Sequence, residues 1–289
     1  MKQFLRKSLL FSILFIIIFT ITNVIFLAVI AKTDWDFKRR LETLHFTNPK
    51  FELIVLGHSL AANGIDTEYL TLNDIESYNL SVGGSFPKTN LIQLNEYLLK
   101  CHENPKYVIL GLASYLGSFD RETIHPIIEF TMDDYKFGVH DIPVIKFQWL
   151  GVQFLKKIVS KIHRDVRLSL GQLKSQKVTP DISQYSDMEL NISAYTESYY
   201  VGQIAEICSL NGIELIIIEM PGFKRTQNSS DIGPYLLNFK NGQSANLYNF
   251  NSKAFCEIFN ANEDWTSNSH LNEFGAKKFT KELVKYIKK

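Results

Sequence analysis

Residues 51–66 read FELIVLGHSLAANGID. Glu52 to Leu56 is short, apolar and β-branched, which predicts a buried strand. Gly57 permits a sharp turn that a residue with a Cβ resists, and a helix-like segment follows at once. Ser59 then has two readings. At a helix start, serine is a favoured cap and needs no chemistry to be there. At the carboxyl end of a strand in an open α/β sheet, it stands where such sheets bind ligands.

Outward from this stretch the pattern alternates. Ile75–Asn79 reads as a second strand and Tyr107–Gly111 as a third, with apolar residues at helical spacing (Leu91, Leu94, Leu98) between them. Tyr195–Leu210 is helical and closed by Asn211-Gly212, a helix-stop signal. Ile213–Met220, IELIIIEM, is the clearest strand, and a last helix runs from about Asn272 to Ile287. Alternation of this kind predicts an α/β fold: a three-layer parallel sheet with helices on both faces. Residues 51–289 suit one such domain, large enough for a full core.

Between Ser114 and Ile192 the alternation stops, over a length too great for a plain loop. A helical insertion is expected at about 115–192. Within it, Phe147–Val166 carries apolar residues at Phe147, Leu150, Phe154, Leu155, Ile158 and Ile162, with Lys156, Lys157, Lys161, Arg164 and Arg167 among them. Such a helix can rest on an anionic membrane surface. It can equally cap the domain with its basic face in water, and that second reading is the expectation, because amphipathic helices are ordinary in globular proteins.

The amino-terminal stretch is of another kind. Residues 9–31 contain no charge over 23 positions, more than the ~20 residues that cross a hydrocarbon core. The run also exceeds the roughly 7–15 apolar residues of a cleavable signal peptide. A transmembrane anchor is expected, behind a basic segment at 1–8 and ahead of a charged, aromatic stalk at 32–50; cleavage after Val29-Ile30-Ala31 is the lesser alternative. Lys2, Arg6 and Lys7 precede the span, whereas Lys32, Lys38, Arg39 and Arg40 follow it, the last three at some distance and mixed with Asp34 and Asp36. The balance leans towards a single-pass protein with its soluble domain outside the cytoplasm.

A net charge of +1 argues against nucleic acid as partner. Cys101, Cys208 and Cys256 are widely spaced and odd in number, without metal spacing or a disulfide framework, and read as buried thiols. No metal or cofactor is expected.

In a parallel sheet the turns after the three strands share one edge: Gly57-His58-Ser59, Asn79-Leu-Ser-Val-Gly-Gly84 and Gly111-Leu-Ala-Ser114. A fourth segment, Asp264-Trp-Thr-Ser-Asn-Ser-His270, sets a histidine just ahead of the last helix. A serine hydroxyl is a poor nucleophile until a base takes its proton, and histidine suits that task near neutrality. The oxyanion that forms needs N–H donors aimed at it in advance, and the amides of Gly84 and Ser59 are candidates. Each fragment alone has a plain structural reading as turn or cap; their joint order along the chain is what points to a site.

With these blocks in place, the sequence over roughly residues 50–289 resembles the SGNH (GDSL-like) hydrolase superfamily, whose sheet is of the flavodoxin-like kind. Gly57-His58-Ser59-Leu60 looks like its first block, with histidine where aspartate is usual. Asn79–Gly84 is similar to the second, and Ser267-Asn-Ser-His270 with Gly275-Ala276 looks like the last. The resemblance implies Ser59 as nucleophile, His270 as base and Gly84 as an oxyanion donor. Two positions depart from the pattern. Ala113 stands where the third block carries an Asn donor, a loss that can cost ~10²–10³ in rate. Ser267 stands where an acid usually precedes the histidine by three residues. Asp264, six before it, is the remaining candidate, reaching only if the loop bulges; a backbone carbonyl or Ser267 is the alternative.

Envelope-tethered proteins of this superfamily often act on acyl groups of surface polysaccharides beside a multispanning O-acyltransferase. The resemblance therefore implies a serine esterase or O-acyltransferase working through an acyl-serine. A glycan-binding or docking module of an envelope complex is the alternative, which Ala113 and Ser267 favour. Glu219 and Lys224-Arg225 fall near the same edge and read as solvated loop charges.

Overall fold

The computed structural model describes residues 1–33, 50–117, 119–131, 142–159, 166–178, 189–222, 231–267 and 269–287. The described residues fall into two compact units. One is drawn from residues 1–39 and 126–163, the other from residues 40–125 and 164–289. Most of the expected stalk, Ile162, Lys161 and Arg164 of the insertion, and Lys224-Arg225 lie outside the described residues.

The larger unit is a mostly parallel α/β sheet. Its described strands are β1 (Leu53–Gly57), β2 (Ser77–Asn79), β3 (Tyr107–Leu112), β6 (Glu214–Glu219), β7 (Tyr235–Asn238) and β8 (Ser244–Asn249), and they lie in the order β2-β1-β3-β6-β8-β7. A separate two-stranded ribbon, β4 (Val166–Ser169) with β5 (Gln172–Ser175), belongs to the same unit. The strand register sets Gly57 beside Gly111 and Gly111 beside Ile218. β7 runs antiparallel to β8 and closes one edge.

The continuous apolar runs are explained by burial on both faces. Leu53 and Val55 point into one core layer with Ile216 and Ile218, whereas Ile54 and Leu56 point into the other with Leu215 and Ile217. The first layer is covered by α2 (Ser59–Gly64) and α11 (Glu273–Ile287), and α11 presents Ala276, Phe279, Leu283 and Ile287 on one stripe. The second is covered by α4 (Pro87–Lys100) and α9 (Tyr199–Leu210), through Leu94, Tyr97, Val201, Ile204 and Cys208. A short α3 (Thr67–Leu72) is capped by Asp66, whose Oδ1 accepts the Tyr69 N–H at 3.0 Å.

The insertion is helical in its first part and then changes character. After α5 (Pro126–Thr131) comes a short α6 (Pro143–Lys146); of the expected helix over 147–166, the structure describes α7 (Gln148–Val159), and Val166 already begins β4. The ribbon turns at Leu170-Gly171, both with positive φ (43° and 82°), the geometry of a two-residue hairpin. It is held to the sheet unit by Asn79 N–H donating to Leu170 O at 3.0 Å, and by Lys174 Nζ against Asp66 at 3.3 Å and Glu68 at 2.6 Å. α8 (Ile192–Thr196) leads into α9.

In the smaller unit α1 (Lys2–Lys32) is one continuous helix, long and apolar enough to cross a membrane. Of the cysteines, Cys208 and Cys256 are buried as expected, while Cys101 is only partly covered.

Candidate active site

Gly57 ends β1 at φ +145°, and a Cβ there would lie 2.1 Å from the Gly111 carbonyl oxygen. Only glycine allows β1 to turn out so close to β3. The cap of the helix that follows is His58, not Ser59: His58 Nδ1 accepts the Leu60 N–H at 3.2 Å. This corrects the cap reading of Ser59, whose hydroxyl is released from that duty. Ser59 Oγ lies instead 2.8 Å from His270 Nε2, across 211 residues of chain.

The turn after β2 is welded to the end of β1. Val82 N–H and Ser85 Oγ–H both donate to Gly57 O, at 3.0 and 2.8 Å. Asn79 spans the turn, with Nδ2 donating to Ala61 O at 2.9 Å and Oδ1 accepting the Ser81 N–H at 3.0 Å. A Cβ on Gly83 would meet Ser59 Cβ at 3.6 Å, and Gly84 beside it has φ +79°. Gly84 thus sits in the turn against Ser59 and lines the same cavity.

After β3, Ala113 is wholly buried in the first core layer and offers no side-chain donor. The next amide, Ser114 N–H, donates to the Glu219 carboxylate at 3.0 and 3.1 Å, and Tyr195 O–H donates to the same group. Glu219 is fully buried, which corrects its reading as a solvated loop charge, and burial raises its pKa to about 7.

The histidine loop is a tight excursion. Thr266 N–H donates to His270 O at 2.9 Å, and Asn272 N–H to Asp264 O at 2.9 Å, around buried Trp265 and Leu271. Asn272 Oδ1 caps α11 by accepting the N–H groups of Phe274 and Gly275, both at 3.0 Å. Ser267 Oγ is 2.9 Å from His270 Nδ1, and Ser269 Oγ is 3.1 Å from it. Asp264 does not reach the ring. Its Oδ2 accepts the Asn260 N–H at 2.6 Å and faces Lys278 Nζ at 2.7 Å. The carboxylate ties the base of the loop to α11, and the expectation that it orients His270 is corrected: hydroxyls fill that place.

Burial lowers the pKa of His270, so its ring is neutral and able to accept a proton near neutrality. Burial and the neighbouring His270 lower His58 to about 3. Because His58 Nδ1 accepts from Leu60, its ring hydrogen sits on Nε2.

A cavity of about 240 Å³ opens beside Ser59. Its wall is apolar, from Phe86, Pro87, Leu112 and Phe119, and Arg121 stands at it with its guanidinium 4.3 Å over the Phe86 ring. That is below the ~300 Å³ of typical small-molecule pockets. Phe119 and Arg121 fall in a stretch without periodicity, and nothing in their spacing marked them. Ser269 was equally silent, because one hydroxyl in a Ser/Thr/Asn-rich loop carries no pattern. Among the described residues no group of three or more His, Cys, Asp or Glu side chains is placed to hold a metal ion.

No protein-family model and no curated protein matches the chain. A solved structure from Bacteroides fragilis, provisionally described as an acylhydrolase, aligns over 89% of this chain and 100% of its own at 11% identity, with a TM-score of 0.35. Fold and site together define an α/β protein with a hydroxyl–imidazole pair at the carboxyl edge of its sheet.

Proposed function

We propose that the protein is a membrane-anchored serine esterase or O-acyltransferase that acts on acyl groups of cell-surface polysaccharide through an acyl-Ser59 intermediate. The observation that carries the chemistry is the 2.8 Å contact between Ser59 Oγ and His270 Nε2. In this reading His270 Nε2 takes the hydroxyl proton as Ser59 Oγ attacks the acyl carbonyl carbon. The carbonyl oxygen becomes an oxyanion facing the N–H groups of Ser59 and Gly84. The departing alcohol takes the proton from His270, leaving acyl-Ser59. Water or an acceptor hydroxyl then gives its proton to His270 and attacks the acyl carbon, and Ser59 recovers its hydrogen. Exclusion of water decides between hydrolysis and transfer. The polysaccharide, the extracytoplasmic side and a multispanning O-acyltransferase partner rest on the family resemblance and on α1, a helix able to span a membrane.

A fluorophosphonate probe and p-nitrophenyl acetate turnover test the reaction in the full chain. Wild type is expected to be labelled, and Ser59→Ala to lose both labelling and at least ~10³ of the rate. An unlabelled wild type whose Ser59→Ala variant complements a deletion strain fully removes catalysis. The reading left is then a docking module, which Ala113 and the missing acid favour. Protease protection of a tagged carboxyl terminus tests the side of the membrane.

A further inference from the structure

We propose that α6 and α7 lie in lipid, as a second membrane-contacting element packed on the carboxyl-terminal half of α1. This rests on the reading of α1 as a retained membrane span.

Covered positions on α1 follow one stripe. Asn23 and Ile30 are buried and Phe26 and Leu27 half-buried, while Val24 and Ile25 between them are 59% and 58% exposed. The spacing i, i+3, i+4, i+7 is one helix face, and the elements that meet it are α6 and α7. Asn23 Oδ1 accepts the Val144 N–H at 3.1 Å, and Asn23 Nδ2 donates to Phe19 O at 2.9 Å. Val144 lies in the first turn of α6, whose N–H groups have no partner within the helix. A polar side chain inside an apolar span is costly unless paired; here each group supplies what the other lacks. Further along, a Cβ on Gly151 would lie 2.9 Å from the Phe26 ring, so glycine permits the close approach of α7.

Depth follows from the helix rise. Asn23 is nine residues before Lys32, the first charge after the span, which at 1.5 Å per residue is about 13 Å along the axis. Half of a hydrocarbon core is about 15 Å, so α6 begins inside the leaflet rather than above it. From there the chain climbs, with Val144 beside Asn23 and Gly151 beside Phe26.

The outward side of the pair is apolar. Ile145, Trp149, Val152, Leu155 and Ile158 are 42–60% exposed, with Gln148 and Lys156 among them. A cap in water would turn its polar side outwards; of the basic residues expected on such a face Lys156 is exposed, while Lys161 and Arg164 lie outside the described residues. Lipid matches both parts of the face: acyl chains meet the aliphatic side chains, and the Lys156 stem reaches up to the headgroups.

Trp149 fluorescence in the full chain, reconstituted into phosphatidylethanolamine–phosphatidylglycerol vesicles, tests this. The signal is taken as wild type minus Trp149→Phe. Lipids brominated on the acyl chain are expected to quench it by at least a third, and aqueous iodide by under a tenth. Quenching by iodide and not by brominated lipid overturns the proposal. Quenching by neither overturns it too, in favour of cover by a second copy. Flotation after carbonate washing is read in parallel: a chain that fails to float takes down the anchor reading and this one together. A floating chain with iodide-accessible Trp149 takes down this one alone.

Discussion

His270 Nδ1 lies between two hydroxyls, Ser267 Oγ at 2.9 Å and Ser269 Oγ at 3.1 Å, and a hydroxyl holds an imidazole differently from a carboxylate. A carboxylate only accepts, so it fixes the hydrogen on Nδ1 and stabilises the imidazolium. Ser267 Oγ already accepts the backbone N–H groups of His270 and Ser269, at 3.2 and 3.4 Å. Its own hydrogen is left to donate towards Nδ1, which favours the tautomer with Nε2 protonated and unable to act as base. Ser269 Oγ is the acceptor that favours the opposite tautomer. Among the described residues no carboxylate bonds the ring, and burial lowers the His270 pKa, so the acidic limb of the pH–rate profile is expected below 6.5. Ser267→Asp keeps an oxygen acceptor for both backbone amides and adds the charge. It should move that limb upward and raise kcat/KM at pH 8 by tenfold or more, within the ~10⁴-fold lost when a triad aspartate is neutralised. Turnover of p-nitrophenyl acetate from pH 4 to 9 checks both, and an unmoved limb removes the account of the ring.

At the scale of elements, the two glycines of the site differ in what they hold. Gly57 has φ +145° with the Gly111 carbonyl 2.1 Å from a would-be Cβ, so alanine there must push β1 from β3. Gly84 has φ +79° with nothing within 4 Å of its Cβ position, so alanine meets only backbone strain. Gly57→Ala is expected to cost about 3 kcal/mol or more, and Gly84→Ala about 1–2 kcal/mol, as read from urea midpoints; equal costs would refute the close approach. The same contrast shows what was legible. β1, β3 and β6 are unbroken apolar runs because both faces are buried, and Gly57 marks where β1 must turn. Ser244–Asn249 was not readable as a strand: Ser, Asn246 and Asn249 interrupt its apolar pattern, although the end of the strand is buried. The ribbon was hidden for another reason, since its turn uses Leu170 at φ 43° where Asn or Gly is the usual signal. Asp264 was misread because spacing tells which residues are near in the chain, while Lys278 on α11 holds that carboxylate from 14 residues away.

For the whole molecule, buried titratable groups set how stability changes with pH. His58 falls to about 3 and His125 to about 4 in the folded chain, against 6.5 when unfolded. Burial is the leading cause for both, so below 6.5 the unfolded chain binds two protons that the folded chain refuses. Glu219 acts in the other direction, raised to about 7 from 4.5 and keeping its proton when folded. Between pH 6.5 and 4.5 the difference is one proton bound more by the unfolded chain, and stability falls with pH by about 1.4 kcal/mol per unit. The lowered pKa of His270 adds to the same slope. From 6.5 to about 7 only Glu219 contributes, and its share is lost as pH rises. Stability is therefore expected to peak near pH 6.5. Urea midpoints of the full chain in detergent at pH 4.5, 5.5, 6.5 and 8 measure the curve. His58→Gln should flatten the acid side by one proton, and Glu219→Gln should steepen it by one while removing the decline above 6.5. A wild-type curve still rising as pH drops from 6.5 to 5 would mean that these histidines take up protons without unfolding, and that the packing around the Ser59 turn is looser than its hydrogen bonds imply.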